Sequence, residues 1–223
     1  MAADPLDIRS PADALVAINR TGTAPSGLEQ MVTAVSRAID MLVGPVVVRT
    51  VTAEVHAGGC PSVWLRRRPV SSVTTVREIT GPGSISTLSA VAWGAATDGY
   101  YPVASNRVGS PTLLSGELRR VQGGYDDNWG LVSGETWLDR AVEVTYVAGR
   151  YATTSVVDRR FAEACAAVLR RLWKRESGAW AQSPQFFTTD DESVAPTSGF
   201  FRAVKPVVME LLADEMIWEP GLA

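Results

Sequence analysis

The chain has 223 residues, 46% of them hydrophobic and 20% charged, with a formal net charge of −3. That is the composition of a globular protein able to bury a core without disulfides or a metal. The negative balance excludes a general nucleic-acid binder, because phosphate affinity depends on an excess of Lys and Arg.

No run approaches the ~18 apolar residues that a membrane span needs, and "MAADPLDIRS" lacks an apolar secretory core. A soluble protein is expected, made or assembled in the cytoplasm, with Cys60 and Cys165 as free thiols. Apart from Lys174 and Lys205, every basic residue is arginine, the better residue for bidentate pairs and interfaces.

The first predicted helix starts at Ser10-Pro11, with Asp13 in its first turn, and is short because Asn19 and Gly22 follow. Ser26 and Glu29 form a capping box for a second helix. Behind it Leu28, Met31, Val32, Val35, Ile39 and Leu42 recur at helical spacing until Gly44-Pro45 stops them.

From Pro45 the period changes to two. In "VVVRTVTAEVHA" Val47, Val51, Ala53 and Val55 are expected on one face, with Thr50, Thr52, Glu54 and His56 on the other. Gly58-Gly59 turns the chain, and "SVWLRRRPVSSVTTVREI" reads as one bent strand or two strands around Pro69. Residues 81–140 hold short β-like pieces, with "GGYDDNWG" as a hairpin tip. "AVEVTYVAG" alternates, Val142, Val144 and Tyr146 inward, Glu143 and Thr145 outward.

Ser155 and Asp158 open a long helix in capping-box fashion. Its stripe is Phe161, Cys165, Val168, Leu169, Leu172 and Trp173, its length about 30 Å before Gly178, and its natural partner is Leu28–Leu42. Residues 178–203 read as a long loop and Pro206–Trp218 as a short amphipathic helix. The expected class is α+β: a helical core with a large inserted antiparallel β-domain and a C-terminal extended arm ending in a short helix. The corresponding segments are 1–44, 45–150, 151–177 and 178–223.

Candidates for chemistry are few. His56 beside Gly58-Gly59 has Cys60 as a sequence neighbour, and a hydrolase using that pair is the enzymatic alternative. Asp190 to Glu192, and Asp126-Asp127 at the hairpin tip, read as solvated charge rather than metal or acid–base groups. Arginines 66–68 alternate across a strand and so do not make a phosphate stripe. There is no P-loop, dinucleotide fingerprint or serine elbow, and no cofactor, metal or catalytic residue is expected. Trp129, Trp180 and Trp218 are interface candidates, with packing against the β-domain's own core the alternative for each.

The order of several stretches then resembles a family. "LRRVQGGYDDNW", "VEVTYVAG" and the capped helix "VVDRRFAEACAAVLRRLWKR", preceded by "RRRPVSSVTTV" and followed by "GFFRAVKPVVMELLADEMIWEPG", are similar to head-to-tail adaptor (connector, head-completion) proteins of long-tailed bacteriophages, those of actinobacterial phages in particular. The hairpin tip and the N-terminal lead are longer than the family pattern.

The resemblance implies a non-enzymatic homo-oligomeric ring, a dodecamer, in the virion neck, assembled in the host bacterial cytoplasm. It implies a portal protein above, a stopper or tail-completion protein below, and double-stranded DNA passing through the lumen without sequence-specific binding. Under it Phe186, Phe187, Phe200, Phe201, Leu211, Leu212 and Trp218 are portal-interface candidates. Arg159, Arg160, Arg170, Arg171 and Trp129 are subunit-interface candidates. A stopper or tail terminator is the nearest alternative, expected to be mainly β-barrel, and a β-rich binding module is a further one.

Overall fold

The computed structural model describes residues 4–25, 27–60, 62–81, 83–104, 113–121, 141–175, 187–190, 193–196 and 198–215. Expectations for Ser26, Asp126, Asp127, Trp129, Trp180, Phe186, Asp191, Glu192 and Trp218 lie outside them. The fold is mixed, with four α-helices and an antiparallel sheet among the described residues. The chain divides into a helical unit, Met1–Val48 with Tyr151–Ala223, and a β-unit, Arg49–Arg150.

In the helical unit α1 (Pro11–Ala17) is capped by Ser10, whose Oγ accepts from Asp13 N and donates to Asp13 Oδ2 at 2.7 Å. Asn19, at φ +56°, ends it, a conformation asparagine tolerates better than most residues. The second helix, α2 (Leu28–Val43), departs from the expected capping box: Gly27, at φ +90°, holds the cap position and no side chain caps the helix.

After the β-unit, Ser155 sits in a 3-10 turn, Thr154–Val156, and α3 (Arg159–Arg175) is capped by Asp158 instead. Asp158 Oδ1 accepts from Arg160 N at 2.8 Å, and its carbonyl accepts from Phe161 N and Ala162 N. Ser155 was the expected cap, but the carboxylate nearer the first turn satisfies the helix's open N–H groups.

The C-terminal part departs most from expectation. A two-stranded hairpin, β8 (Phe187–Asp190) with β9 (Ser193–Pro196), precedes a 15-residue helix, α4 (Ser198–Leu212), with Pro206 inside it. Proline normally marks a first turn, which is why Pro206 reads as a helix start. Its neighbours explain the tolerance: Val204, Val207, Val208 and Leu212 recur as one stripe and are buried, so packing offsets the missing N–H. They join Met31, Val35 and Ile39 of α2 and Phe161, Cys165, Val168 and Leu169 of α3 in one apolar cluster. In place of an extended arm ending in a short helix, the C-terminal helix is part of the core.

Among the described residues the β-unit forms a seven-stranded antiparallel sheet. Its strands are β1 (Arg49–His56), β2 (Ser62–Trp64), β3 (Val70–Gly81), β4 (Ser84–Leu88), β5 (Gly99–Ala104), β6 (Leu114–Val121) and β7 (Ala141–Ala148). The order is β1-β7-β3-β6-β2, with β4 added to β3 and β5 to β6. Strand β7 alternates as its sequence reads: Val142, Val144, Tyr146 and Ala148 are buried with Val63, Leu65, Val70, Val76 and Leu118.

Strand β1 does not alternate as its sequence reads. Its pairing with β7 slips between Val51 and Glu54, and Ala53 takes φ +53°. This bulge inverts the second half of the strand. Val55 faces out, 50% exposed, while the Glu54 and His56 side chains turn inward with 8% and 12% exposure.

One ion pair is fully inside the sheet. Arg120 on β6 donates from Nε to Glu78 Oε1 on β3 at 2.9 Å and from Nη2 to Oε2 at 3.3 Å. Its Nη1 donates to the carbonyls of Gly99 and Val121. The guanidinium is thereby satisfied from several sides, the condition under which a dry charge pair is tolerated.

Two stability predictions follow from this sheet. Ala53→Gly relieves a left-handed backbone and should stabilise by about 1 kcal/mol, read as a higher denaturant midpoint at unchanged slope. A lower midpoint would contradict the bulge. Glu78→Ala leaves Arg120 charged and dry and should cost about 3–5 kcal/mol. Glu143→Ala, which breaks the more exposed pair with Arg77, should cost about 1 kcal/mol or less. Equal losses would contradict the buried pair.

Candidate interaction surfaces and polar clusters

Of the enzymatic candidates, His56 lies beside a joint built by Glu54 and Tyr146. The β1 bulge brings Glu54 against Tyr146 of β7, whose hydroxyl donates to Glu54 Oε2 at 2.8 Å and accepts from Arg67 N at 3.0 Å. Glu54 Oε1 accepts from Arg66 N at 2.9 Å, and His56 Nε2 lies 2.7 Å from the same oxygen without forming a directed hydrogen bond. Burial, first, and the neighbouring carboxylate push the Tyr146 phenol well above its usual range, so it stays protonated as a donor. Glu54 Oε1 thus holds the turn after β2 and Oε2 holds Tyr146 of β7, and the close partner of His56 is Glu54. Cys60 is exposed and free. Among the described residues no group of three His, Cys, Asp or Glu side chains is placed to hold a metal.

A second buried polar cluster lies in the helical unit. Asp7 Oδ2 accepts from Thr33 Oγ1 at 3.0 Å, and the Asp7 carbonyl accepts from Thr154 Oγ1 at 2.6 Å. Ile8 N donates to Ser36 Oγ at 3.0 Å. These bonds tie the segment before α1 to α2 and to the turn before α3. Desolvation is the largest influence on Asp7 and raises its carboxyl to about 7; the Thr33 hydroxyl and Arg37 oppose it, while Asp4 and Asp40 reinforce it. Cys165 is fully buried, its thiol pushed up to about 12 by that burial, and is inert as a nucleophile.

The interface candidates divide. Leu212 is buried in the helical core, whereas Leu211 is 41% exposed. Phe187 falls in β8 and Phe200 and Phe201 in α4; their side chains lie outside the described residues. Arg160 is engaged within its own unit: Nη1 meets Asp214 Oδ2 at 3.0 Å and Nη2 meets Glu215 Oε1 at 3.2 Å. It ties the start of α3 to the 3-10 turn Ala213–Glu215 that follows α4. Arg170 lies 3.7 Å from Glu163, and Arg159, 91% exposed at its side chain, lies 3.8 Å from the same carboxylate. Arg171 is exposed.

Among the described residues the most exposed aromatics are two that sequence reasoning did not single out. Trp64 on β2 is 50% exposed and Trp93, after β4, is 53% exposed. The sheet register sets Trp64 opposite Glu117 and Tyr101 opposite Arg119, and residues directly opposite share a face. Arg119 Nε donates to Glu117 Oε1 at 2.9 Å. The Arg119 guanidinium also lies 5.7 Å from the Trp93 ring centroid, and that of Arg68 lies 5.6 Å from the Trp64 centroid. The Trp93 and Tyr101 rings meet in a tilted contact, with centroids 5.8 Å apart. The result is a strip of alternating aromatic and charged groups across β2, β6 and β5. In the sequence, strand alternation around "SVW" was the available signal: Val63 inward leaves Trp64 outward.

No family model matches the sequence, and no curated protein does. Among solved structures, a chain in "Neck of empty GTA particle computed with C6 symmetry" is similar at 14% identity and a TM-score of 0.44, over 93% of this chain and 93% of that one.

Asp7 predicts a pH dependence. Between about pH 4 and 7 the folded protein keeps a proton that the unfolded chain gives up, so this group's contribution falls as pH rises and levels off above about 7. Asp7→Asn keeps an acceptor for Thr33 without the charge. Its stability gain over the wild type should be larger at pH 8 than at pH 5, by on the order of 2 kcal/mol, in paired denaturant titrations. An equal gain at both pH values would contradict the shift.

Proposed function

We propose that this chain is a structural subunit of the neck of a long-tailed phage particle, forming a ring that joins the portal of the DNA-filled head to the stopper or tail. One observation carries this reading. The stretches that resemble head-to-tail adaptors lie in β3 ("VSSVTTV"), β6 ("LRRV") and β7 ("VEVTYVA"), which are neighbours in one sheet in the order β7-β3-β6. The last stretch but one forms α3, which packs in the helical cluster together with the "VKPVVMELL" segment of α4. The motifs are thus structural neighbours within each unit, as expected of a shared scaffold rather than of scattered coincidences.

On this reading the copies close into a ring, a dodecamer by the family resemblance, through heterologous contacts. The portal and a stopper or tail-completion protein are its partners, and DNA slides through the lumen. The ring acts by geometry, without a cofactor, and is assembled in the host cytoplasm. Four helices in a core of their own weigh against a stopper or tail terminator built mainly as a β-barrel. Leu211, Phe186, Phe187, Phe200, Phe201 and Trp218 remain the proposed portal contacts. Leu212 instead supports that surface from inside the core.

Light scattering after size exclusion, on the purified chain alone and mixed with portal rings of its particle, tests this. Uptake of many copies per portal ring is expected. A monomer that the portal never takes up would contradict it.

A further inference from the structure

We propose that the Trp64–Trp93 strip receives a second copy of this chain, through the outer face of α4. The inference rests on the ring reading and names one of its subunit contacts. The strip offers two indole faces and two guanidinium groups around one carboxylate, a composition typical of the anchoring centre of protein interfaces. Its core-facing counterparts, Val63 and Leu118, are buried, so the aromatic side chains on the opposite face are not spent on the β-unit's own core.

Charge selects the occupant. Residues 49–150 carry ten arginines against nine acids, which leaves eleven basic and fifteen acidic residues, of the chain's 21 and 24, to the helical unit. One unit is therefore +1 and the other −4. Two copies attract one another most when the β-unit of one meets the helical unit of the next. That is a heterologous contact, the kind that closes rings.

The helical unit has a surface of the required chemistry. While Val204, Val208 and Leu212 of α4 are buried, Pro206, Met209 and Glu210 are exposed on its other side, Met209 to 43%. A methionine thioether packs well on an indole, and a carboxylate beside it meets Arg119 and Arg68 in charge-assisted hydrogen bonds. The sequence distance between the two surfaces prevents neither, since they belong to different copies.

Four variants of the full chain test the contact: Trp64→Ala with Trp93→Ala, Arg119→Glu, Glu210→Arg, and the swap carrying both charge reversals. Each is checked for folding by its thermal melt, and its mass is followed against concentration, alone and with portal rings. The double alanine variant and each single reversal should weaken self-association by about tenfold or more, and the swap should restore it. Raised salt should weaken the wild type in the same direction.

Self-association unchanged in the double alanine variant, or single losses that the swap leaves unrestored, would overturn the proposal. Portal uptake lost while self-association persists would assign the strip to the portal and overturn it as well. A wild type that stays monomeric in both settings sinks the ring reading itself, whereas a ring insensitive to these variants sinks this surface alone.

Discussion

A short parallel bridge holds this chain's architecture together. Val48 N donates to the Tyr151 carbonyl at 2.8 Å, and Tyr151 N donates to the Val46 carbonyl at 3.0 Å. The helical core draws on residues before Val48 and after Tyr151, so the chain must leave it and come back at one place. The turn that sets up the departure is itself pinned: Asp40 Oδ1 accepts from Val46 N at 2.9 Å, and Gly44 takes φ +80° after α2. On the return, Tyr151 packs edge-on against Phe161 of α3, with centroids 5.8 Å apart. Closing so long an excursion costs little more than closing a shorter one, because loop entropy grows only with the logarithm of length. A whole sheet can therefore be carried between two helices of one core.

Periodicity made the regular parts readable. The α2 and α3 stripes and the β7 alternation each depend on residues within one element, and those elements stand where their patterns put them. What was not readable depends on partners. The extra residue at Ala53 leaves no mark in a two-residue pattern until β7 supplies the register, and the result inverts Glu54, Val55 and His56. Pro206 suggests a helix start by local preference, yet tertiary burial of Val204 and Val208 carries the helix through it. Likewise Asp158, not Ser155, caps α3, a choice between two capable side chains three residues apart.

The candidate surfaces follow the same division. Among the described residues exposed tryptophans stand both in a strand and in a connection: the exposure of Trp64 follows from β2 burying only Val63, while Trp93 lies between β4 and β5. Arginines spaced along a helix do not announce their partners either. Arg160 is drawn to Asp214 and Glu215, some fifty residues on, because α4 runs back to the start of α3. The His56 joint shows the converse. A histidine beside a carboxylate and a tyrosine has the residue types of a catalytic site, yet the Glu54 and Tyr146 side chains are bonded to each other and to the turn after β2.

On the proposed reading, the charge asymmetry and the exposed aromatics of this chain serve contacts with other copies and with neck partners. Electron cryomicroscopy of the neck of the particle that carries this protein tests that most directly. Repeated copies of the α1–α4 unit and its β-unit, arranged as a closed ring beneath the portal, are the predicted result. A neck whose density is filled by other chains, with no place for this one, would contradict it.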